Sequence, residues 1–167
     1  MTDNRILTSA LRVQATALVR RLASRGETLS TAESCTGGLI AKAITDIAGS
    51  SAVFSGACVT YTNEVKMALL GVDPAIIERD TEVSFACAEA MARGARERLG
   101  TTYALSTTGY AGPTGGTVAD PVGTVYIALA TPTGVKSERF SAPIGATRTQ
   151  VRAAAAMRAL EMLGKEI

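Results

Sequence analysis

A serine lies where a short predicted strand gives way to a helix. Ser34 follows the strand expected over Thr28 to Ala32. Four residues connect it to an apolar, helix-compatible segment: Cys35, Thr36, Gly37 and Gly38. The first N–H groups of a helix lack intrahelical acceptors and attract negative charge. The stretch therefore suits an oxygen nucleophile beside an oxyanion hole or an anion-binding cradle, and spacing alone favours neither. The glycines would also be explained if they only allow a tight turn.

A lysine is the best candidate for the base that such a serine would need. The sequence contains no histidine, which excludes Ser-His-Asp and Cys-His catalysis and leaves Lys, Tyr, Asp and Glu as bases. Lys66 falls in the first turn of a short predicted helix, where the helix dipole and partial burial would both lower its pKa. Tyr61, at the end of the preceding strand, could relay the proton or orient the pair. Both side chains could equally be ordinary surface residues.

A cysteine beside the serine is a weaker candidate nucleophile. The pKa of a thiol at a helix N-terminus tends to fall, which would suit Cys35, but no motif places a base for it. The other two cysteines, Cys58 and Cys87, are distant in sequence and form no CxxC pair. We therefore expect neither a disulfide framework nor a metal site.

The candidate residues follow three successive predicted strands. Ser34 follows the first, Tyr61 to Lys66 follow the second, and a loop rich in Gly and Pro at Thr108 to Thr117 follows the third. In open α/β sheets the ligand crevice lies at the carboxyl ends of the strands. We therefore expect the three segments to meet at one edge of the sheet.

Helices and strands alternate along the chain, except for one hairpin near its end. Helices are predicted at about Asn4 to Arg25 (with Leu7, Leu11, Leu18 and Leu22 at helical spacing), Gly37 to Asp46, Thr62 or Asn63 to Leu70, Pro74 to Glu78, Ser84 to Leu99 and Thr147 to Leu163. The strands are predicted at Thr28 to Ala32, Ala52 to Tyr61, Tyr103 to Thr108, Val122 to Ala130 and Val135 to Phe140. The second strand is expected to be mostly buried, with Gly56 marking a bulge or a close backbone approach. The prediction is an α/β fold: one three-layer α/β/α domain over residues 1–167, with a mixed, mainly parallel sheet.

The composition is that of an ordinary soluble globular protein. Hydrophobic residues make up 47% and charged residues 19% of the 167 residues, and the net charge is +2. The sequence lacks a basic run with interleaved aromatics, which is the pattern that would indicate a nucleic-acid partner. No apolar segment is long enough to span a bilayer. We therefore expect a cytoplasmic protein that binds a small molecule and neither nucleic acid nor membrane.

Three motifs closely resemble those of the CinA C-terminal-domain family. They are Glu33 to Gly38, Tyr61 to Lys66, and Thr108 to Thr117 with Pro121 to Val125. The match runs from about Leu7 to Leu163, with the motifs in the family's order and spacing. The molybdopterin-binding-like N-terminal domain of the longer family members is missing, so the resemblance is to a stand-alone form.

The resemblance implies an amidohydrolase that converts nicotinamide mononucleotide (NMN) to nicotinate mononucleotide and ammonia, with no cofactor. It implies Ser34 as nucleophile, Lys66 as general base and Tyr61 as its partner. The substrate-binding residues it implies are Cys35, Thr36, Gly37, Gly38, Asn63, Thr108, Gly109, Gly112, Gly115, Gly116 and Arg148. Within that set, N–H groups near Cys35 and Thr36, with Thr108, would hold the oxyanion and the carboxamide. A nest at Gly115 and Gly116 could bind the phosphate, and Arg148 matches an arginine near the end of the family pattern, although it could equally be a surface charge.

Three departures from the family pattern keep an alternative open. Tyr110 stands where a small aliphatic residue is usual, Thr114 where a glycine is usual, and the acidic residue often found just before Arg148 is absent. These departures favour a non-catalytic nucleotide-binding module as the alternative. A role on DNA has no basic face to support it. Since relatives are oligomeric, a homo-oligomer, dimer or higher, is expected.

Overall fold

The structure is a computed structural model. It describes the backbone of residues 2–167 and the side chains of residues 8–167. Six helices and five strands occur within the described residues, together with a 3₁₀ turn at Ser50–Ala52. The helices are α1 (Thr2–Arg25), α2 (Leu39–Thr45), α3 (Asn63–Leu70), α4 (Pro74–Asp80), α5 (Phe85–Leu99) and α6 (Arg148–Glu166). The strands are β1 (Leu29–Glu33), β2 (Phe54–Val59), β3 (Tyr103–Gly109), β4 (Thr124–Thr131) and β5 (Gly134–Ser141).

The five strands form one mixed sheet in the order β2-β1-β3-β4-β5. β1 pairs in parallel with β2 and with β3. β4 runs antiparallel to β3, and β5 returns antiparallel to β4 as the late hairpin. This arrangement confirms the predicted α/β fold, and it brings the carboxyl ends of β1, β2 and β3 to the same edge of the sheet.

Helices cover both faces of the sheet. On one face, α1, α2 and α6 pack over large aliphatic side chains such as Leu29, Leu105 and Ile127. On the other face, α5 lies against the small side chains of Ala104 and Ala128, and α3 packs on α5. Among the positions that predict α1, Leu11, Leu18 and Leu22 are buried. Leu7 lies outside the side chains that the structure describes.

The second strand differs from its prediction. β2 spans six residues rather than ten, and its side chains alternate between half-buried and exposed. The reason is its place in the sheet: β2 pairs only with β1, so its other edge has no neighbouring strand. The predicted irregularity at Gly56 is confirmed, because the register with β1 shifts between Phe54 and Gly56.

The helix that carries Lys66 is bounded as its sequence predicts. The Thr62 hydroxyl accepts a hydrogen bond from the Val65 N–H at the start of α3. Gly71 ends the helix in the left-handed conformation, with φ at 68°. At the start of α6, Thr147 and Gln150 form a capping box, which agrees with the predicted start of that helix at Thr147. Within residues 2–167, no helix combines the length and the apolar character needed to cross a membrane.

Candidate active site

Ser34 and Lys66 meet at the carboxyl edge of the sheet. Ser34 directly follows β1, and its N–H donates to the Thr107 carbonyl of β3 at 2.9 Å. The Lys66 Nζ lies 3.3 Å from the Ser34 Oγ and 3.1 Å from the Thr60 carbonyl oxygen, within hydrogen-bonding distance of both. The amine therefore contacts the hydroxyl directly, with no phenol between them.

The amine is held where charge is disfavoured. Lys66 is only 1% exposed, and it forms no ion pair among the described residues. Burial lowers the pKa of its amine from the ordinary value, while the more distant charges of Glu82 and Glu64 act in the opposite sense. A lysine with a lowered pKa can accept a proton near neutral pH, which is what a serine nucleophile without histidine requires.

A cavity of about 200 Å³ opens above this pair. Its lining comes from all three predicted segments and from two further elements, the α4–α5 loop and the start of α6: Ser34, Cys35, Tyr61, Lys66, Glu82, Val83, Thr108, Gly109, Tyr110, Ala111 and Arg148. The predicted convergence of the segments that follow β1, β2 and β3 is therefore found in the structure. Tyr110, which departs from the family pattern, forms part of the wall.

Glu33 fixes the turn that carries Ser34. Its carboxylate is fully buried and accepts hydrogen bonds from the N–H groups of Ile40 and Ala41 at 3.1 and 2.8 Å. It also accepts from the Thr36 hydroxyl at 2.7 Å and the Thr31 hydroxyl at 3.2 Å. A carboxylate at a helix N-terminus satisfies unpaired donors and interacts favourably with the dipole. Glu33 therefore occupies the N-terminus of α2, where the sequence analysis considered a bound anion.

Arg152 holds the same turn from the opposite side. Its guanidinium donates two hydrogen bonds to the Thr36 carbonyl, at 2.7 and 3.2 Å. A Cβ on Gly37 would lie 3.0 Å from that guanidinium, so glycine leaves room for the arginine. Sequence reasoning missed both Glu33 and Arg152 as positioning residues. A signal was available for Glu33 alone, which lies in the first motif.

Ser34 is followed in the turn by Cys35 and Thr36, and only Cys35 of these two residues lines the cavity. The N–H of Gly37 donates to the Ser34 carbonyl, and that of Leu39 donates to the Thr36 carbonyl. Among the described residues, the N–H groups of Cys35 and Thr36 donate to no carbonyl or carboxylate oxygen. Cys35 lines the cavity, so its N–H has the position of an oxyanion-hole donor, whereas Thr36 is fully buried and does not line the cavity.

Tyr61 and Arg148 lie at the mouth of the cavity. Tyr61 is 59% exposed, and its hydroxyl accepts a hydrogen bond from the Arg148 guanidinium at 2.7 Å. Arg148 also donates to the Gly112 carbonyl at 2.6 Å. Tyr61 makes no hydrogen bond to Ser34 or Lys66, so the predicted proton relay through its phenol is not seen. The direct contact between amine and hydroxyl leaves no need for it.

Several predicted binding residues lie outside the cavity lining. Those that do not line the cavity are Thr36, Gly37, Gly38, Asn63, Gly112, Gly115 and Gly116. Gly115 and Gly116, predicted as a phosphate nest, do not line this cavity. A Cβ on Gly116 would meet the backbone of Pro121 and Val122 in its own loop. Both glycines have positive φ and serve the course of that loop.

Thr108 and Gly109 do line the cavity, and each has a packing reason for its identity. The Thr108 hydroxyl donates to the Glu82 carbonyl at 2.6 Å and so fixes the α4–α5 loop to β3. A Cβ on Gly109 would lie 2.4 Å from the Thr124 carbonyl oxygen of β4. Only glycine fits this close approach between strands.

Cys35 is a poor nucleophile in this environment. It is buried, and burial raises the pKa of its thiol to about 12. The expected lowering at a helix N-terminus is therefore wrong for this residue, because loss of solvent outweighs the local dipole. No group of three or more His, Cys, Asp or Glu side chains suited to a metal ion occurs in the part of the chain that the structure describes.

Fold and site together define a class: α/β proteins with a serine and a buried lysine paired at the carboxyl edge of a mixed sheet. The chain belongs to the CinA C-terminal domain family, whose model matches residues 12–167. The CinA-like protein of Myxococcus xanthus is 50% identical over 153 residues, and that of Geobacter sulfurreducens is 51% identical over 154 residues. These matches cover 92% and 91% of this chain but 36% of each relative. The chain thus spans about a third of the length of these curated relatives.

Solved structures show the same fold. The competence/damage inducible protein CihA of Agrobacterium tumefaciens superposes with a TM-score of 0.90 at 41% identity, covering 93% of this chain and 94% of that one. A competence-damaged protein (CinA) superfamily protein of Escherichia coli superposes with a TM-score of 0.89 at 32% identity, covering 94% and 90%. The family resemblance inferred from the three motifs is confirmed.

Proposed function

We propose that this chain hydrolyses the carboxamide of NMN, using Ser34 as nucleophile and Lys66 as general base. The observation that carries the proposal is the 3.3 Å contact between the buried Lys66 amine and the Ser34 hydroxyl. The pair lies in a cavity that Cys35 also lines, where the Cys35 N–H could bind a carboxamide carbonyl. The choice of NMN as the substrate rests on the resemblance of the sequence motifs to the family's stand-alone amidohydrolase.

The reaction begins with a neutral Lys66 amine. One N–H of the amine stays on the Thr60 carbonyl, and the nitrogen lone pair accepts the proton of the Ser34 hydroxyl as Oγ attacks the carboxamide carbon. The N–H group of Cys35 stabilises the resulting oxyanion. Lys66 then returns the proton to the amide nitrogen, so that the C–N bond breaks and ammonia leaves.

The second half of the reaction removes the acyl group from Ser34. A water molecule attacks the ester carbonyl while Lys66 accepts its proton, and the C–O bond to Ser34 breaks. The proton returns to the Ser34 oxygen, and nicotinate mononucleotide is released. The sum is NMN plus water to nicotinate mononucleotide plus ammonia.

Ammonia release from NMN, without added metal, tests the proposal. Ser34→Ala and Lys66→Ala should each lower kcat by a hundredfold or more, since general-base catalysis alone contributes roughly 10²–10⁴-fold. Lys42→Ala is the matched control, because Lys42 is an exposed lysine that pairs with Asp46 on α2. Circular dichroism and melting temperature establish that each variant is folded.

Full activity in either site variant would contradict the mechanism. NMN binding without ammonia release from the wild-type protein would instead favour the non-catalytic nucleotide-binding module. The observation that favours this second candidate is the place of Tyr110, a departure from the family pattern, in the cavity wall. Assembly into a homo-oligomer and residence in the cytoplasm remain predictions.

A further inference from the structure

Glu82 enters the cavity on a loop that is held in an unusual conformation. Thr81, directly before it, has a φ of 69°, which is uncommon for a residue with a branched side chain. The loop is fixed by the Thr108 hydroxyl, which donates to the Glu82 carbonyl at 2.6 Å, and by the Ser84 hydroxyl, which donates to the Thr81 carbonyl at 3.0 Å. A residue held out of its ordinary conformation at a cavity wall suggests a functional requirement for its position.

The Glu82 carboxylate has no hydrogen-bond or ion-pair partner among the residues whose side chains the structure describes. It is half-buried and lines the cavity. Among the side chains of residues 8–167 and the described backbone it finds no donor and no ion pair, whereas the buried carboxylate of Glu33 accepts four hydrogen bonds. Glu82 is also the one carboxylate among the residues that line the cavity.

An unpaired carboxylate at this position works against the proposed base. The negative charge of Glu82 raises the pKa of the Lys66 amine, in opposition to burial. It therefore favours the protonated form, which cannot accept the Ser34 proton. A positive charge on the bound ligand would neutralise Glu82 and remove this effect.

We propose that Glu82 binds the positively charged ring of the substrate, so that the site selects carboxamides carried on a cationic heteroaromatic ring. This inference rests on the proposed function, since the nicotinamide ring of NMN is a pyridinium cation that bears the carboxamide. Arg148, at the mouth of the cavity, is then free for the phosphate at the other end of the nucleotide. The cavity lining thus offers a carboxylate for the cationic ring and a guanidinium for the phosphate.

Binding to a variant that cannot turn over provides the test. In a Ser34→Ala background, calorimetry would compare NMN with its 1,4-dihydro form, which keeps the ribose and phosphate but has a neutral ring. Adding Glu82→Gln should weaken NMN binding about tenfold, as expected from losing an attraction of one unit charge across a few ångströms of partly buried space. Binding of the dihydro form should change less than about twofold.

Two further variants complete the test. Glu64→Gln removes a carboxylate that also acts on Lys66 but is exposed on α3 and does not line the cavity, so it should leave both affinities unchanged. Glu82→Asp keeps the charge and should retain the preference for the cationic ring. Melting temperatures check that the variants fold.

Three results would overturn the inference. They are an equal loss for both ligands, no loss for NMN, or no NMN binding by the Ser34→Ala protein. Because binding needs no turnover, the outcome is separable from the proposed function. Charge discrimination without ammonia release would leave Glu82 as the selective residue of a binding module. Ammonia release without discrimination would refute this inference alone.

Discussion

The amine of Lys66 is buried without a carboxylate at ion-pair distance among the described residues. Removing an amine from water disfavours its charged form by several kcal/mol per ion when nothing compensates. Here the Thr60 carbonyl and the Ser34 hydroxyl provide polar contacts but no charge. Burial therefore costs some stability and gives Lys66, the proposed general base, a pKa below that of an ordinary lysine.

Lys66→Met should abolish the increase in the free energy of unfolding with pH that we expect for the wild-type protein. Because the folded-state pKa is lowered, unfolding takes up a proton between that value and the unfolded pKa of about 10.4. The free energy of unfolding of the wild-type protein therefore increases as pH rises through this window. Methionine has no amine to titrate and fills a similar volume, so the variant should lack this contribution and should be at least as stable near neutral pH.

Urea titrations at several pH values between about 7 and 10 would measure the difference between the two proteins. Lys42→Met controls for the general effect of losing a lysine, because Lys42 is exposed and paired with Asp46. Parallel pH dependence of the wild-type protein and the Lys66 variant would show that the buried amine does not titrate as burial predicts.

Some site residues could be predicted from the sequence because their signals are local. Thr62 and Gly71 bound α3, which places Lys66 near its start, and Ser34 directly follows a strand. Arg152 could not be predicted, since its contact with Thr36 joins residues 116 positions apart. Glu82 lies in a loop without a motif, and its place in the cavity depends on the hydroxyl of Thr108 in a separate strand.

At the scale of elements, the position of Lys66 depends on how α3 packs against α5. Gly94 lies in the middle of α5, and a Cβ on it would be only 2.0 Å from the Leu70 carbonyl oxygen at the end of α3. The two helices therefore approach each other closely at a point one turn beyond Lys66. No other residue type fits without moving α3.

Gly94→Ala should destabilise the protein and displace the base. In an exposed helix this substitution usually stabilises by roughly 0.5–1 kcal/mol. Here we expect a loss of about 1–3 kcal/mol, the usual cost of overpacking, and a decrease in kcat because Lys66 moves with α3. Chemical denaturation and the ammonia assay would measure the two effects.

Gly164→Ala is the matched control, because Gly164 also lies within a helix. A Cβ there would meet the flexible end of the Gln14 side chain at 3.0 Å rather than backbone. Gly164→Ala should leave the free energy of unfolding unchanged or increase it slightly. Equal effects of the two substitutions would refute the close approach of α3 and α5 as the cause.

The strands show where sequence patterns stop being informative at this scale. The apolar run at 52–61 predicted a mostly buried strand, but β2 lies at the edge of the sheet and is half-exposed. Strand order depends on contacts between distant segments, which composition does not encode locally. The parallel core and the hairpin were predictable because alternation with helices constrains them.

At the scale of the whole molecule, Arg148 joins segments that are far apart in the chain. Its guanidinium connects the start of α6 to Tyr61 after β2 and to Gly112 in the loop after β3. Both partners are neutral, and Arg148 forms no ion pair within the described residues. Its positive charge is therefore available at the mouth of the cavity for a phosphate.

Arg148→Met should raise KM for NMN by about tenfold or more, with kcat changed only a few-fold. Hydrogen bonds to charged groups contribute about 1.5–3 kcal/mol, and the phosphate is distant from the reacting carboxamide. Nicotinamide riboside lacks the phosphate, so its kcat/KM should not fall to the same extent. Arg20→Met on the exposed side of α1 should leave both substrates unaffected. A uniform loss with both substrates would assign Arg148 a purely structural role.

The antiparallel direction of β4 has a practical consequence. The turn between β4 and β5, at Pro132 and Thr133, lies at the end of the sheet remote from the cavity and is exposed. A cysteine introduced at Thr133 would be more accessible to dyes than Cys35 and Cys87, which are buried, or Cys58, which is half-buried. The molecule could thus be tethered or labelled at the β4–β5 turn, which would leave the mouth of the cavity unobstructed for single-molecule or surface-based measurements.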